Sequence, residues 1–226
     1  DAAAFLDKFM HDMYQEQKAH DGAVPHVIPS FAMPGEPSCA WADAASIIPW
    51  TTYLFYGDKA LLARQYPNMR EWAEWIYRTD ESTGGARLWR TGFHFADWLA
   101  LDAAYPSSCT GGTEPYFIAS CYYLYSTELA GKAAEVLGLA EDAAKYARRT
   151  EEIRAAIRRE YMTPSHRLAI STQTGYILAL MLHIAAPEDE PAMRAALDHC
   201  FEDSRSELRT GFVGTAYLCR VLTENG

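Results

Sequence analysis

Basic residues are scarce in this chain. Its 226 residues carry 20 Lys and Arg against 30 Asp and Glu, a formal charge of −10. Nucleic acid and anionic membrane surfaces are held by basic patches, so neither is expected as a partner. No apolar run reaches the roughly 18 residues that a membrane-spanning helix needs. No basic segment followed by an apolar one opens the chain, so no signal peptide is expected. The cysteines are five, an odd number: Cys39, Cys109, Cys121, Cys200 and Cys219. None forms a CxxC pair. They read as free thiols in a reducing compartment, which points to the cytoplasm.

Motifs that carry familiar chemistry are absent too. Gly84-Gly85 and Gly111-Gly112 lack the spacing of a phosphate-binding loop. The seven histidines are scattered with no HExxH or HxH, so neither a metal site nor another cofactor is expected. No GxSxG elbow offers a nucleophile.

What the chain does have is apolar and aromatic matter. Hydrophobic residues make up 49% of it, enough for a sizeable core, and there are six Trp and fourteen Tyr, side chains that supply flat amphipathic contact area. Residues 40–58 are its most apolar stretch. Ala44, Ile47, Ile48, Thr51, Thr52, Leu54 and Phe55 recur at helical spacing, which predicts a buried helix. Pro49 is expected to kink or loosen it, Gly57 to end it, and Asp58 to cap the next helix. Trp41 and Asp43 stand at its entrance. An indole face stacks on sugar C–H bonds and a carboxylate accepts from sugar hydroxyls, so the pair suits a sugar site. It equally suits a core tryptophan beside a structural charge.

Further helices are predicted over residues 1–18, 59–79, 113–137, 141–161, 171–185, 188–201 and 211–223, from apolar spacing bounded by Gly and Pro signals. Pro67 is expected to split the 59–79 segment, and Trp72 and Trp75 to be core. No strand alternation and no short repeat are evident. Strongly apolar helices alternate with amphipathic ones. That pattern predicts an all-α fold of about eight helices in two layers, an incomplete (α/α)6 toroid or barrel. Two long loops interrupt it. Residues 19–38 are rich in proline yet carry Val24, Val27, Ile28, Phe31 and Met33, so an ordered, packed loop is expected. Residues 80–112 are irregular, and within them Gly92–Leu99 alternates polar and aromatic residues. Asp97 and Trp98 form a second carboxylate–indole pair there. Binding groups concentrate on such loops.

The ordered set of short motifs resembles one known family. Trp41-Ala42-Asp43-Ala44, Ile48-Pro49-Trp50, Tyr56-Gly57-Asp58, Met69 with Trp72, Ala96-Asp97-Trp98-Leu99, Thr172-Gln173-Thr174 with Tyr176, and Thr210–Thr215 are similar to the catalytic domain of bacterial α-L-rhamnosidases, family 78 of the glycoside hydrolases. The resemblance implies an (α/α)6 barrel that releases terminal α-L-rhamnose from rhamnosides with inversion. It also implies that the general acid lies just before Asp1 and the general base beyond Gly226. The 226 residues are then expected to be the central part of a catalytic domain, truncated at both ends and holding neither catalytic carboxyl group. No catalytic residue is therefore assigned in the chain. Asp1, Trp41, Asp43, Asp97 and Trp98 are the residues expected to bind substrate. The competing readings are a non-catalytic carbohydrate-binding or scaffold toroid, and another α/α-toroid glycosidase or lyase.

Overall fold

The computed structural model describes residues 2–30, 37–103, 105 and 107–225. Asp1 lies outside the described residues, as do Phe31 and Met33 of the first long loop. The described residues form eight α-helices and no strand beyond isolated bridges. They are α1 (Ala3–Ala19), α2 (Ala44–Tyr56), α3 (Lys59–Ser82), α4 (Pro115–Leu137), α5 (Ala140–Tyr161), α6 (Gln173–Met181), α7 (Glu190–Asp203) and α8 (Phe212–Asn225). None is long and apolar enough to cross a membrane.

Two layers result. The helices α2, α4, α6 and α8 touch in succession, and α1, α3, α5 and α7 pack outside them. The cause is side-chain character. All of Phe117–Leu124 in α4 and all of Gln173–Leu180 in α6 are buried, as expected of helices covered on most sides. Helix α5 instead turns Tyr146, Thr150, Ile153, Ala156 and Ile157 inward and leaves a charged face outside. This is the architecture of an α/α toroid, the fold class expected from the alternation of helix types.

Helix ends follow local chemistry. Gly57 closes α2 at φ +66°, a left-handed conformation that glycine adopts without a Cβ penalty. Asp58 then accepts from the Leu61 N–H at 2.9 Å and caps α3. Glu114 caps α4 ahead of Pro115 at the first helical position, and Thr172 caps α6 through the Gly175 N–H at 3.0 Å.

Two expectations need correction. Pro67 does not split the 59–79 segment; α3 runs unbroken from Lys59 to Ser82, because Leu62, Tyr66 and Met69 pack on α4 around the proline and outweigh the one lost backbone bond. Pro49 lies inside α2, which runs from Ala44 to Tyr56. And α2 is not buried on most sides. Ala45, Ser46, Pro49 and Thr52 face the interior, while Leu54 and Phe55 near its end are exposed. Trp72 is fully buried as expected, and Trp75 stacks on it at 5.3 Å from a partly buried position.

Candidate functional site

Successive connections lie at alternate ends of the helices. Gly57-Asp58 and Gly138-Leu139 are tight turns between partners of a hairpin, and the eight residues 182–189 join α6 to α7 at the same end. Residues 20–43, 83–114, 162–172 and 204–211 each lead into the N-terminus of an inner helix. The alternation brings the starts of α2, α4, α6 and α8 to one end of the molecule, under those loops. Of the residues singled out from sequence, Trp41, Asp43, Asp97 and Trp98 lie there.

Trp41 sits on a turn just before α2. Ala40 adopts φ +68°, and its N–H donates to Asp43 Oδ2 at 2.8 Å, which closes the turn. Trp41 is thereby left half-buried beside a cavity of about 320 Å3 lined by Ala40, Ile47, Tyr122, Phe212, Val213 and Tyr217, among others. Its ring meets Phe95 at 4.7 Å and lies nearly parallel to Phe212 at 6.3 Å. Phe95 in turn meets the Trp98 ring edge-on at 5.4 Å. Trp41 and Trp98 therefore share one face, with Phe95 between them. The Trp98 carbonyl accepts from the Phe212 N–H at 2.9 Å, so the 93–99 loop is tied to the start of α8, whose Phe212 and Val213 line the cavity.

The two aspartates do something else. Asp43 is fully buried and does not line the cavity. Its Oδ1 accepts from Trp72 Nε1 at 2.8 Å and Ser126 Oγ at 2.6 Å, so it ties the start of α2 to α3 and α4. Burial raises its pKa from the ordinary 3.8 to about 6, against the pull of those donors. Asp97 is buried as well. Its Oδ2 accepts from Thr174 Oγ1 at 2.5 Å and the Gly211 N–H at 2.9 Å, and its Oδ1 accepts from the Val213 and Gly214 N–H groups at 2.8 and 3.3 Å. Its carboxyl group is seated on the N-terminus of α8, where free N–H groups point at it. Asp43 and Asp97 are thus both buried and bonded by protein donors.

The same contacts explain the glycines of the 210–215 motif. A Cβ on Gly211 would lie 2.3 Å from the Trp98 carbonyl oxygen, and one on Gly214 would lie 2.2 Å from Thr174 Oγ1. The backbone can close on Asp97 only without side chains there.

His94 was not singled out from sequence. It is 5% exposed, between Trp89 at 4.6 Å and Tyr116 at 5.9 Å. Its Nδ1 accepts from the Cys39 N–H at 3.1 Å, and its Nε2 contacts the Thr91 carbonyl at 3.0 Å. Burial lowers its pKa to about 4, so the imidazole is neutral. Phe212, Tyr122 and Tyr217 were also missed as lining residues, and Phe95 as the ring that backs Trp41. The aromatic alternation of 93–98 was the one signal that pointed toward Phe95.

With this geometry in hand, the similarities to known proteins are specific. The family model described as the bacterial alpha-L-rhamnosidase six-hairpin glycosidase domain matches residues 1–226. The chain belongs to that family. An α-L-rhamnosidase of Alteromonas sp. strain LOR is 30% identical over 242 aligned positions, which cover 100% of this chain and 26% of the relative. The crystal structure of Streptomyces avermitilis α-L-rhamnosidase complexed with L-rhamnose superposes with a TM-score of 0.86 at 30% identity, covering 100% of this chain and 20% of that one. The native α-L-rhamnosidase of Aspergillus terreus superposes with a TM-score of 0.90 at 29% identity, covering 99% and 26%. The chain thus spans about a quarter or less of the length of the relatives it matches. Within the rhamnosidase six-hairpin domain, the eight helices are the layered hairpins argued above. The sequence motifs that carry the resemblance include the Asp43 and Asp97 tethers and the glycines that admit them.

Proposed function

We propose that the parent protein is an inverting α-L-rhamnosidase and that this chain is the central part of its catalytic domain, contributing sugar-binding wall. The observation that carries the reading is the cavity beside Trp41, in a chain whose whole length matches the rhamnosidase domain. An indole wall with Ile47 and Val213 nearby suits a 6-deoxy sugar, which presents C–H faces and a methyl group. Trp41 is the stacking platform and Trp98 borders the mouth. Asp1 accepts from sugar hydroxyls in this reading.

Inversion needs a carboxylic acid and a carboxylate about 6.5–9.5 Å apart, one to protonate the leaving oxygen and one to activate water. Among the described residues, those lining the cavity include no carboxyl group. Asp43 and Asp97 are already engaged by protein donors. In this reading, as the family resemblance implies, the acid and the base come from outside these 226 residues. The five unpaired thiols fit a cytoplasmic protein.

The test is hydrolysis of an aryl α-L-rhamnoside by the parent protein, followed by proton NMR. Inversion predicts that β-L-rhamnose forms first; α-rhamnose first would overturn it. Absence of turnover, with sugar still bound, would favour a non-catalytic carbohydrate-binding toroid. Turnover by the 226 residues alone would overturn the placement of the acid and base.

A further inference from the structure

We infer that His94 is a positioning residue of the Trp41 platform: as a neutral imidazole it fastens the turn that bears Trp41 to the loop that bears Phe95. The inference rests on the reading of Trp41 as a sugar-stacking residue.

Both ring nitrogens face backbone groups of fixed character. The Cys39 N–H can only donate, so Nδ1 must accept. The Thr91 carbonyl can only accept, so Nε2 must carry the proton. The tautomer is therefore set by the fold. Protonation of Nδ1 would place two donors against each other.

The latch has a second strand. The Phe95 N–H donates to Ser38 Oγ at 3.0 Å, one residue along on each side. Ser38 and Cys39 thus pair with Phe95 and His94, side chain to backbone in both directions. Two residues beyond Cys39 stands Trp41, and its ring meets Phe95 at 4.7 Å. The relative placement of the two aromatic rings is fixed by these two bonds and by the Asp43 turn. The surroundings explain why an imidazole fits. Trp89 and Tyr116 meet the His94 ring at 87° and 89°, which leaves it wedged edge to face and nearly free of solvent. A carboxylate at this place would be a buried charge facing the Thr91 carbonyl. A hydrocarbon would leave the Cys39 N–H without an acceptor.

Two near-isosteric variants of the parent enzyme separate the two ring nitrogens. His94→Asn keeps an acceptor at the Nδ1 position and loses the contact to Thr91. His94→Gln reaches Thr91 and loses the acceptor for Cys39. The inference predicts that His94→Gln raises KM for an aryl α-L-rhamnoside roughly five- to tenfold, the size of one lost hydrogen bond, with kcat within about threefold. It predicts faster hydrogen–deuterium exchange confined to the peptide spanning 37–43. His94→Asn should stay close to wild type in both readouts, and Ser38→Ala should behave like His94→Gln. Equal effects of Asn and Gln, or exchange raised throughout α3 and α4, would make His94 a packing residue only and overturn the inference. So would a His94→Gln enzyme unchanged in both readouts. A Trp41→Ala enzyme with unchanged KM would instead remove the sugar-platform reading, whatever His94 does.

Discussion

Asp97 and Thr174, 77 residues apart in sequence, meet through a 2.5 Å hydrogen bond inside the protein. The contact joins the 93–99 loop to α6, and the remaining bonds of the same carboxylate join both to the start of α8. One side chain thereby fixes three segments at the loop end.

Removing it should cost stability. Asp97→Ala leaves three backbone N–H groups and a hydroxyl without their acceptor in a buried place, and each unsatisfied donor costs about 1–3 kcal/mol. The expected loss is roughly 3–5 kcal/mol, the range seen when one member of a buried charged set is removed. Urea denaturation of the parent enzyme measures it. A midpoint within experimental scatter of wild type would mean that the carboxylate is not a tether.

Gly214→Ala should be destabilising even though alanine favours helices. The new methyl would lie 2.2 Å from Thr174 Oγ1 and 2.7 Å from Thr210 Cγ2, so α8 or α6 must shift. Overpacking of this kind costs about 1–3 kcal/mol. Gly84→Ala is the control. No atom lies within 4 Å of its added Cβ, although its φ of +116° carries a backbone penalty of its own. Thermal unfolding of both variants, with a larger drop for Gly214→Ala, is the expected result.

Asp43 makes a prediction about pH. Burial lifts its folded pKa to about 6 from an ordinary 3.8, so the fold favours the protonated acid. Its contribution to stability is complete below the unfolded value and is lost as pH rises through about 6. Linkage over that interval corresponds to about 3 kcal/mol. Between pH 4 and 7 the unfolding free energy of the wild type should therefore fall more steeply than that of Asp43→Asn. Parallel curves would show that Asp43 does not titrate there.

Trp41→Ala separates platform from core. Trp41 is half-buried and borders a cavity, so truncation should lower kcat/KM by roughly 5- to 30-fold, equivalent to about 1–2 kcal/mol of lost contact. The unfolding midpoint should move little. A large fall in midpoint with kcat/KM intact would make Trp41 a packing residue.

Much of the helical layout was legible in sequence because it depends on neighbours. The period of Phe117, Ile118, Tyr122, Leu124, Tyr125 and Leu129, the Gly138 stop and the Asp58 cap are local signals, and each appears where its chemistry places it. The failure at Pro67 has the opposite origin. A local breaker was overruled by Leu62, Tyr66 and Met69, whose partners on α4 lie far along the chain. The site divides in the same way. Trp41 and Trp98 could be found as aromatic residues at loop–helix junctions. The roles of Asp43 and Asp97 could not, since Trp72, Ser126, Thr174 and Gly211 are 29 to 114 residues away. Seen alone, a carboxylate beside an indole reads the same whether it faces a sugar or the core.

The connections also make the two ends unequal as material for change. At the far end, the two-residue turns Gly57-Asp58 and Gly138-Leu139 leave no slack, and an added residue in either would rotate one helix against its partner. At the loop end, exposed Phe93, Leu99 and Leu101 stand in a segment that can be lengthened, shortened or exchanged while the helix contacts beneath it stay in register. The border conditions are the anchoring points: Ser38, His94, Asp97 and the Gly211 backbone must survive any such graft. A library that randomises the exposed Leu99, Leu101 and Tyr105 while holding those four, Ala100, Asp102 and Ser108 constant would therefore vary this surface with its anchors kept.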